Sequence, residues 1–91
     1  MNLLFSPQFA RLYKKRTDSE QAEIDAALKR LLLFFIENRR SLGLGVRHLR
    51  NKIWELRVGL KLRILFSLEK DAAKILTVGT HDEIRKFLKQ A

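Results

Sequence analysis

Apolar and charged residues alternate across the stretch Trp54–Phe66, which is centred on Gly59. The apolar side chains occupy the even positions Trp54, Leu56, Val58, Leu60, Leu62, Ile64 and Phe66. Because successive side chains of a strand point to opposite faces of a sheet, this pattern predicts two strands that share one buried face. Arg57, Lys61 and Arg63 fall on odd positions, so we expect them to form a positively charged surface on the opposite face.

Capping patterns predict two helices before these strands. Ser6 and Pro7 have the residue types of a helix N-cap and first turn, and they follow a short apolar segment that is expected to form a strand. Thr17 and Glu20 have the spacing of a capping box, and an apolar stripe at helical spacing continues from there to about Ile36. The pattern therefore predicts a strand, a short helix and a long helix in that order.

The second half of the chain adds further strands and a closing helix. A short strand is expected at Val46–Leu49, and the almost wholly apolar run Lys74–Val78 is typical of an interior strand. Thr80 and Glu83 repeat the capping-box spacing, so a helix is expected at His81–Lys89. This order predicts an α+β fold, in which an N-terminal helical hairpin packs on one face of a small, mostly antiparallel sheet. A short C-terminal helix ends the chain, and the other sheet face is left open.

Size and composition narrow the class of protein. Residues 1–91 are expected to form a single domain. The net charge is +9, and residues 38–91 hold thirteen of the Lys and Arg residues against five Asp and Glu, which favours a polyanionic partner. Nucleic acid, an acidic membrane surface and an acidic protein fit that description. The absence of cysteine, of a long apolar run and of a signal-peptide pattern predicts a cytoplasmic protein without disulfides or a membrane span.

Three segments together carry a recognisable combination of residues. They are Leu49–Gly59, which contains Trp-Glu-Leu-Arg-Val-Gly, the strand Leu62–Phe66 with its arginine, and Val78–Ile84 before the closing helix. With the preceding helical hairpin, this combination resembles the RelE/ParE superfamily of toxins. The resemblance implies the toxin of a type II toxin–antitoxin system, neutralised by a cognate antitoxin protein in a hetero-oligomer. RelE-like members cleave mRNA on the ribosome and so inhibit translation, whereas ParE-like members inhibit DNA gyrase; a catalytically silent homologue is a third alternative.

The mRNA-cleaving members define the chemistry to look for. They need no metal, because the ribose 2′-hydroxyl attacks the adjacent phosphorus and the protein must move protons and stabilise an anionic phosphorane. The resemblance implies that Arg63 stabilises this charge and that His81 protonates the departing 5′-oxygen. His48 is a third catalytic candidate, which could reach the same face as Arg63 as a general base or as an RNA contact. The alternative is an exposed strand histidine without a functional role. We expect no cofactor and no metal, since two distant histidines without a carboxylate cluster make a poor metal site.

The remaining candidate residues are expected to bind RNA phosphates rather than to perform chemistry. They are Arg57, Lys61, Arg47, Arg50 and Lys52. For Arg57 and Lys61 the alternative is a solvated surface position without a bound phosphate.

Several candidates also have a purely structural interpretation. Arg63 can pair with Glu55 or Glu69 across a strand face, and Glu55 can act either as a base or as such a partner. His81 can be part of a helix cap, where the helix dipole disfavours positive charge. One departure from RelE is expected to matter: Phe87 stands where RelE has a catalytic tyrosine, so a histidine-based variant of the mechanism is required.

The antitoxin partner is expected to be acidic or amphipathic. It would wrap the helices or cover the Arg63 face, and it would hide the apolar residues Leu42, Leu44 and Leu65.

Overall fold

A computed structural model describes residues 2–37 and 45–90 of the chain. The elements, in chain order, are β1 (Asn2–Phe5), α1 (Pro7–Lys14), α2 (Asp18–Glu37), β2 (Val46–Arg50), β3 (Ile53–Val58), β4 (Leu62–Leu68), β5 (Ala72–Thr80) and α3 (His81–Gln90). The strands form one sheet in the order β1-β5-β4-β3-β2. β1 runs parallel to β5, and the other neighbouring pairs are antiparallel. The predicted α+β fold with a mostly antiparallel sheet is confirmed.

Local hydrogen bonds start the first two helices where the sequence predicts. The Ser6 Oγ accepts a hydrogen bond from the Phe9 N–H at 3.0 Å and donates one to the Leu76 carbonyl oxygen at 2.6 Å, which ties α1 to β5. At the start of α2, the Thr17 Oγ1 accepts from the Glu20 N–H, and the Glu20 Oε1 accepts from the Thr17 N–H, each at 3.1 Å. These are N-cap and capping-box geometries, so helix initiation here follows from local sequence.

The main core lies between the α1–α2 hairpin and one face of the sheet. The buried even positions of β3 and β4 are Leu56, Val58, Leu62, Ile64 and Phe66, as predicted, and Trp54 packs against them half-buried. Ile24 and Leu31 of α2 face them with no exposed surface. Burying these aliphatic and aromatic side chains is the main favourable contribution to folding.

The prediction that Leu60 is in the core is wrong. Leu60 is 102% exposed and stands at the tip of the turn that joins β3 to β4. Gly59 has φ +59°, a left-handed conformation that takes the chain out of the strand. The alternation of faces therefore stops at Val58 and resumes at Leu62, and the turn residues between them belong to neither face.

The second sheet face is only partly open, which corrects the prediction that it is left open. Leu65 points to the face opposite Ile64, yet it is fully buried. α3 contacts β5 and β4, and its Ile84 is buried outside the main core cluster. The Arg50 guanidinium donates a 2.5 Å hydrogen bond to the Leu88 carbonyl oxygen, which places the end of α3 near the far end of β2. α3 thus lies across part of the second face, because its own apolar stripe must be buried somewhere.

Candidate functional site

A cleft of about 420 Å³ opens at the end of the sheet where β5 passes into α3. Strand register explains its lining, because Arg57 of β3 and Gly79 of β5 are both paired with Arg63 of β4. His81 follows two residues after Gly79 as the first residue of α3. The charged and titratable side chains that line the cleft are Arg47, Glu55, Arg57, Arg63 and His81. Five side chains from four elements therefore meet at one surface.

Glu55 is the buried anion of the cleft. Its side chain is 6% exposed, and its Oε1 accepts a 3.0 Å hydrogen bond from the Arg63 Nη1. The same oxygen lies 3.6 Å from the Arg47 Nη2. A carboxylate held between two guanidinium groups restricts their orientation, and hydrogen bonds of this charged type are stronger than neutral ones. Of the two partners predicted for Arg63, Glu55 is the one that it contacts in the structure. Glu69 instead lies 3.8 Å from the Lys52 Nζ.

The cleft carries an excess of positive charge. Arg57 and Arg63 are directly opposite each other on neighbouring antiparallel strands, and like charges in that position destabilise a sheet. Glu55 is the carboxylate among the cleft side chains, against three arginines. A phosphate group bound here would offset the repulsion between Arg57 and Arg63, so the arrangement favours an anionic ligand.

His81 occupies an exposed position at the N-terminus of α3. The first amide groups of a helix carry a partial positive charge, which favours a bound phosphate. Gly79 allows the helix to begin close to β5, because a Cβ at Gly79 would lie 2.9 Å from the Cβ of Glu83. His81 is therefore held at the mouth of the cleft by a tight passage from strand to helix.

A capping box fixes this passage. The Glu83 Oε1 accepts a 2.9 Å hydrogen bond from the Thr80 N–H, and the Thr80 Oγ1 accepts one from the Glu83 N–H at 3.3 Å. The same Glu83 oxygen lies 3.2 Å from the Arg16 Nη2 at the end of the first helix. The hydrogen bond from the Thr80 backbone, followed by that from Arg16, lowers the pKa of Glu83 below its ordinary value of 4.5.

Stability should consequently depend on pH through Glu83. Because its pKa is lower in the folded chain, its contribution is complete above 4.5 and is lost as the pH falls through the folded-state pKa. At pH 7 we expect Glu83→Gln to lower the free energy of unfolding by only about 0.5 kcal/mol, since the side chain is 53% exposed. Urea denaturation should show this difference in the free energy of unfolding between wild type and Glu83→Gln at pH 7, and its loss at about pH 3. Asp82→Asn is the matched control. If its stability difference from wild type were lost in acid to the same extent as that of Glu83→Gln, the assignment to Glu83 would be contradicted.

His48, a predicted catalytic residue, is not in the cleft. It is paired with Trp54 on the main-core face, and the two ring centroids are 4.8 Å apart. The His48 Nε2 lies 2.6 Å from the Asn51 carbonyl oxygen. The alternation of strand faces explains this position, because neighbouring Arg47 reaches the cleft and His48 therefore points the other way. The expectation that His48 shares a face with Arg63 is wrong.

Three predicted RNA-binding residues also lie outside the cleft. Lys61 is in the turn after β3 and lines a separate depression with Glu20 and Glu23, so it does not share a strand face with Arg63. Arg50 bonds to the end of α3, and Lys52 lies in the turn after β2, beside Glu69. Both stand at the opposite end of the sheet, because β2 runs away from the cleft. The structure brings together Arg47, Arg57 and Arg63 of the predicted arginines.

No tyrosine hydroxyl among the described residues 2–37 and 45–90 lines the cleft. Phe87 is half-buried on α3, and Tyr13 lies on the helical hairpin, where its hydroxyl donates a 2.7 Å hydrogen bond to the Asp25 carboxylate. That hydrogen bond raises the pKa of the Tyr13 hydroxyl. Among the described residues that line the cleft, His81 and Glu55 are the groups other than arginine that can take part in proton transfer.

Gly45 and Val46 also line the cleft, although neither is among the predicted site residues. The Gly45 carbonyl oxygen accepts a 3.0 Å hydrogen bond from the Arg57 N–H. Gly45 has φ +74°, and a Cβ there would lie 3.1 Å from the Arg57 Cβ. A glycine immediately before a predicted strand was the signal for such a close approach of backbones.

Within 2–37 and 45–90, no group of three or more His, Cys, Asp or Glu side chains has the arrangement to hold a metal ion. None of the helices in that part of the chain combines the length and apolar character needed to cross a membrane.

The sequence matches no protein-family model and no curated protein. The fold is similar to the RelB–RelE antitoxin–toxin complex of Methanococcus jannaschii, with a TM-score of 0.71 and 17% identity over 92% of this chain and 96% of that one. For the YoeB dimer of Staphylococcus aureus the TM-score is 0.67, with 21% identity over 89% of this chain and 97% of that one. For YafQ of E. coli the TM-score is 0.62, with 20% identity over 91% of this chain and 96% of that one. The chain therefore has the fold of the RelE-type toxins of toxin–antitoxin systems, as the sequence predicts.

Proposed function

We propose that this protein is the toxin of a type II toxin–antitoxin system and acts in the cytoplasm as a metal-independent endoribonuclease on ribosome-bound mRNA. One observation carries the proposal: a single cleft presents three arginines, a buried glutamate and a histidine on a rigid sheet and helix terminus. That set matches the needs of RNA cleavage by 2′-hydroxyl attack, which are phosphate binding, stabilisation of added negative charge and proton transfer.

Arg63 is assigned to the scissile phosphate. The Glu55 carboxylate accepts a hydrogen bond from the Arg63 Nη1. This bond fixes the orientation of the guanidinium group, whose other N–H groups can then bind a ligand in the cleft. As the phosphorane forms, the phosphate gains negative charge, and an oriented guanidinium stabilises it without reorganisation. Glu55 thus orients Arg63 through Oε1, and its carboxylate is the cleft group that would take the proton released by the attacking 2′-hydroxyl.

His81 is assigned to proton transfer to the departing 5′-oxygen. Its imidazole can hold a proton and donate it, and it is exposed at the mouth of the cleft. Arg47 and Arg57 then bind the flanking phosphates and fix the register of the RNA.

Arg57 should contribute to RNA binding at the expense of stability. Replacing it with threonine removes the like-charge pair with Arg63, so we expect the free energy of unfolding to rise by up to about 0.5 kcal/mol. The slope of log binding constant against log salt concentration should fall by about one for the lost phosphate contact. Fluorescence titration with a short RNA at several salt concentrations measures this slope. Lys52→Thr, at the far end of the sheet, should leave the slope unchanged; equal slopes for Arg57→Thr and wild type would contradict the assignment.

The proposal is tested by mapping mRNA 5′ ends in a translating bacterial lysate. New ends at codon-phased positions are expected with the wild-type chain, and the same transcript without ribosomes should remain intact. Arg30→Ala, an exposed substitution in α2, serves as the control and should cleave like wild type. Intact message with folded protein would overturn the proposal, and simultaneous loss of gyrase supercoiling activity would assign a ParE-like function instead.

The proposed partner is a cognate antitoxin in a hetero-oligomer. The M. jannaschii relative is an antitoxin–toxin complex, and the S. aureus YoeB relative also forms a heterotetrameric complex with YefM. In this chain a net charge of +9 favours an acidic partner, and Leu4, Phe5 and Leu33 expose about half of their surface. Leu65 is buried and is not available to a partner, while Leu42 and Leu44 lie outside the described residues.

A further inference from the structure

Arg16 lies between the starts of two helices that pack on different faces of the sheet. Its Nη2 is 3.2 Å from the Glu83 Oε1 of α3, and its Nη1 is 3.9 Å from the Glu20 Oε2 of α2. The Arg16 side chain is only 17% exposed, although it belongs to the short connection after α1. The contact with Glu83 is a hydrogen bond and that with Glu20 is a longer ionic contact, so the orientation of this mostly buried guanidinium is set chiefly by Glu83.

Both acidic partners of Arg16 occupy the same position in a helix cap. Glu20 closes the capping box of α2 by accepting from the Thr17 N–H, and Glu83 closes that of α3 by accepting from the Thr80 N–H. Arg16 therefore bridges two capping boxes. Since α2 packs on the main-core face and α3 on the second face, this bridge connects the two layers at the cleft end of the sheet.

The bridge is adjacent to the cleft. Thr80, whose N–H bonds to Glu83, directly precedes His81 in the chain, and the orientation of the first turn of α3 sets the direction of the His81 side chain. Without Arg16, the Glu83 carboxylate would lose a charged hydrogen bond and hold the cap less tightly. The first turn of α3 would then open more often, and His81 would spend less time in its reactive position.

We propose that Arg16 is a positioning residue, which fixes the first turn of α3 through Glu83 and so holds His81 at the cleft. The part that concerns catalysis rests on the proposed ribonuclease function. Arg16 lies outside the cleft lining and contacts no substrate in this assignment, so its effect should be on the reaction step rather than on RNA affinity.

The test compares Arg16→Ala, Arg16→Lys and the control Arg30→Ala in the full chain. Amide hydrogen exchange at Thr80, Glu83 and Ile84 reports the opening of the first turn, independently of activity. We expect about fivefold faster exchange in Arg16→Ala, little change in Arg30→Ala, and an intermediate value in Arg16→Lys, which keeps the charge without the planar fork. In steady-state cleavage of ribosome-bound mRNA, kcat should fall about tenfold for Arg16→Ala while KM stays the same.

Each result has a defined meaning. Wild-type exchange rates at these three amides in Arg16→Ala would overturn the proposal, and so would a rise in KM without a fall in kcat. If Arg16→Ala does not fold, Glu83→Gln takes its place, because glutamine keeps the cap but weakens the bond to Arg16. Failure of the wild-type chain to cleave mRNA would overturn the ribonuclease function, and the exchange measurement would still decide whether Arg16 fixes the helix.

Discussion

Arg63→Ala is expected to lower the rate of mRNA cleavage by about 10²–10³-fold, as removal of one preorganised transition-state donor does in other enzymes. The reason is that Arg63 is the guanidinium held by Glu55 at 3.0 Å in the middle of the cleft. Single-turnover cleavage of a programmed ribosome complex measures the reaction step directly. The binding constant for RNA should change far less than the rate.

Arg63→Lys is the sharper variant for this prediction. It keeps the positive charge and a partner for the buried Glu55, but it loses the planar pair of donors. We expect a rate between those of wild type and Arg63→Ala, with a circular dichroism spectrum and a denaturation midpoint close to wild type. Full activity in Arg63→Ala would contradict a role in transition-state stabilisation and leave Arg63 as a structural partner of Glu55.

Leu65→Ala is expected to lower the free energy of unfolding by about 2–4 kcal/mol, the usual cost of removing a buried leucine side chain. Leu65 has no exposed surface although it points away from the main core, because α3 covers this part of the second face. Urea denaturation followed by tryptophan fluorescence of the single Trp54 measures the change.

Leu60→Ala is a matched control for Leu65→Ala. It makes the same chemical change at a leucine that is fully exposed in the β3–β4 turn, so we expect less than about 0.5 kcal/mol. A similarly small effect of Leu65→Ala would mean that α3 does not cover the second face. The pair therefore tests directly the feature of the fold that the hydrophobic pattern did not reveal.

The elements and their order could be predicted because their signals are local. Ser6, Thr17 and Thr80 cap the helices through hydrogen bonds to residues three positions away, and Gly59 marks the turn of the hairpin. Alternation then assigns the faces of β3 and β4 correctly within each strand. The part of the site that follows from these signals is the pairing of Arg57 with Arg63 and the position of His81 after the last strand.

The errors arise where position depends on contacts between distant segments. The run Ile64-Leu65-Phe66 is apolar on both faces, which indicates a strand covered on both sides, but nothing local identifies α3 as the second cover. The position of His48 depends on the pairing of β2 with β3, and a register shift between His48 and Arg50 further separates the predicted basic residues. The bridge made by Arg16 joins residues that are 67 positions apart, so no sequence window contains it.

The parallel pairing of β1 with β5 has a consequence for how the chain is made. β1 is made before the other four strands of the sheet, but its partner β5 is made last of the five, and Asn2 pairs with Ala72. The sheet is therefore incomplete until β5 has been synthesised, and His81 follows later still. Under the proposed function, a nascent chain carries no assembled cleft until both β5 and His81 have left the ribosome. The topology of the sheet would then delay any attack on translation until all five strands are present.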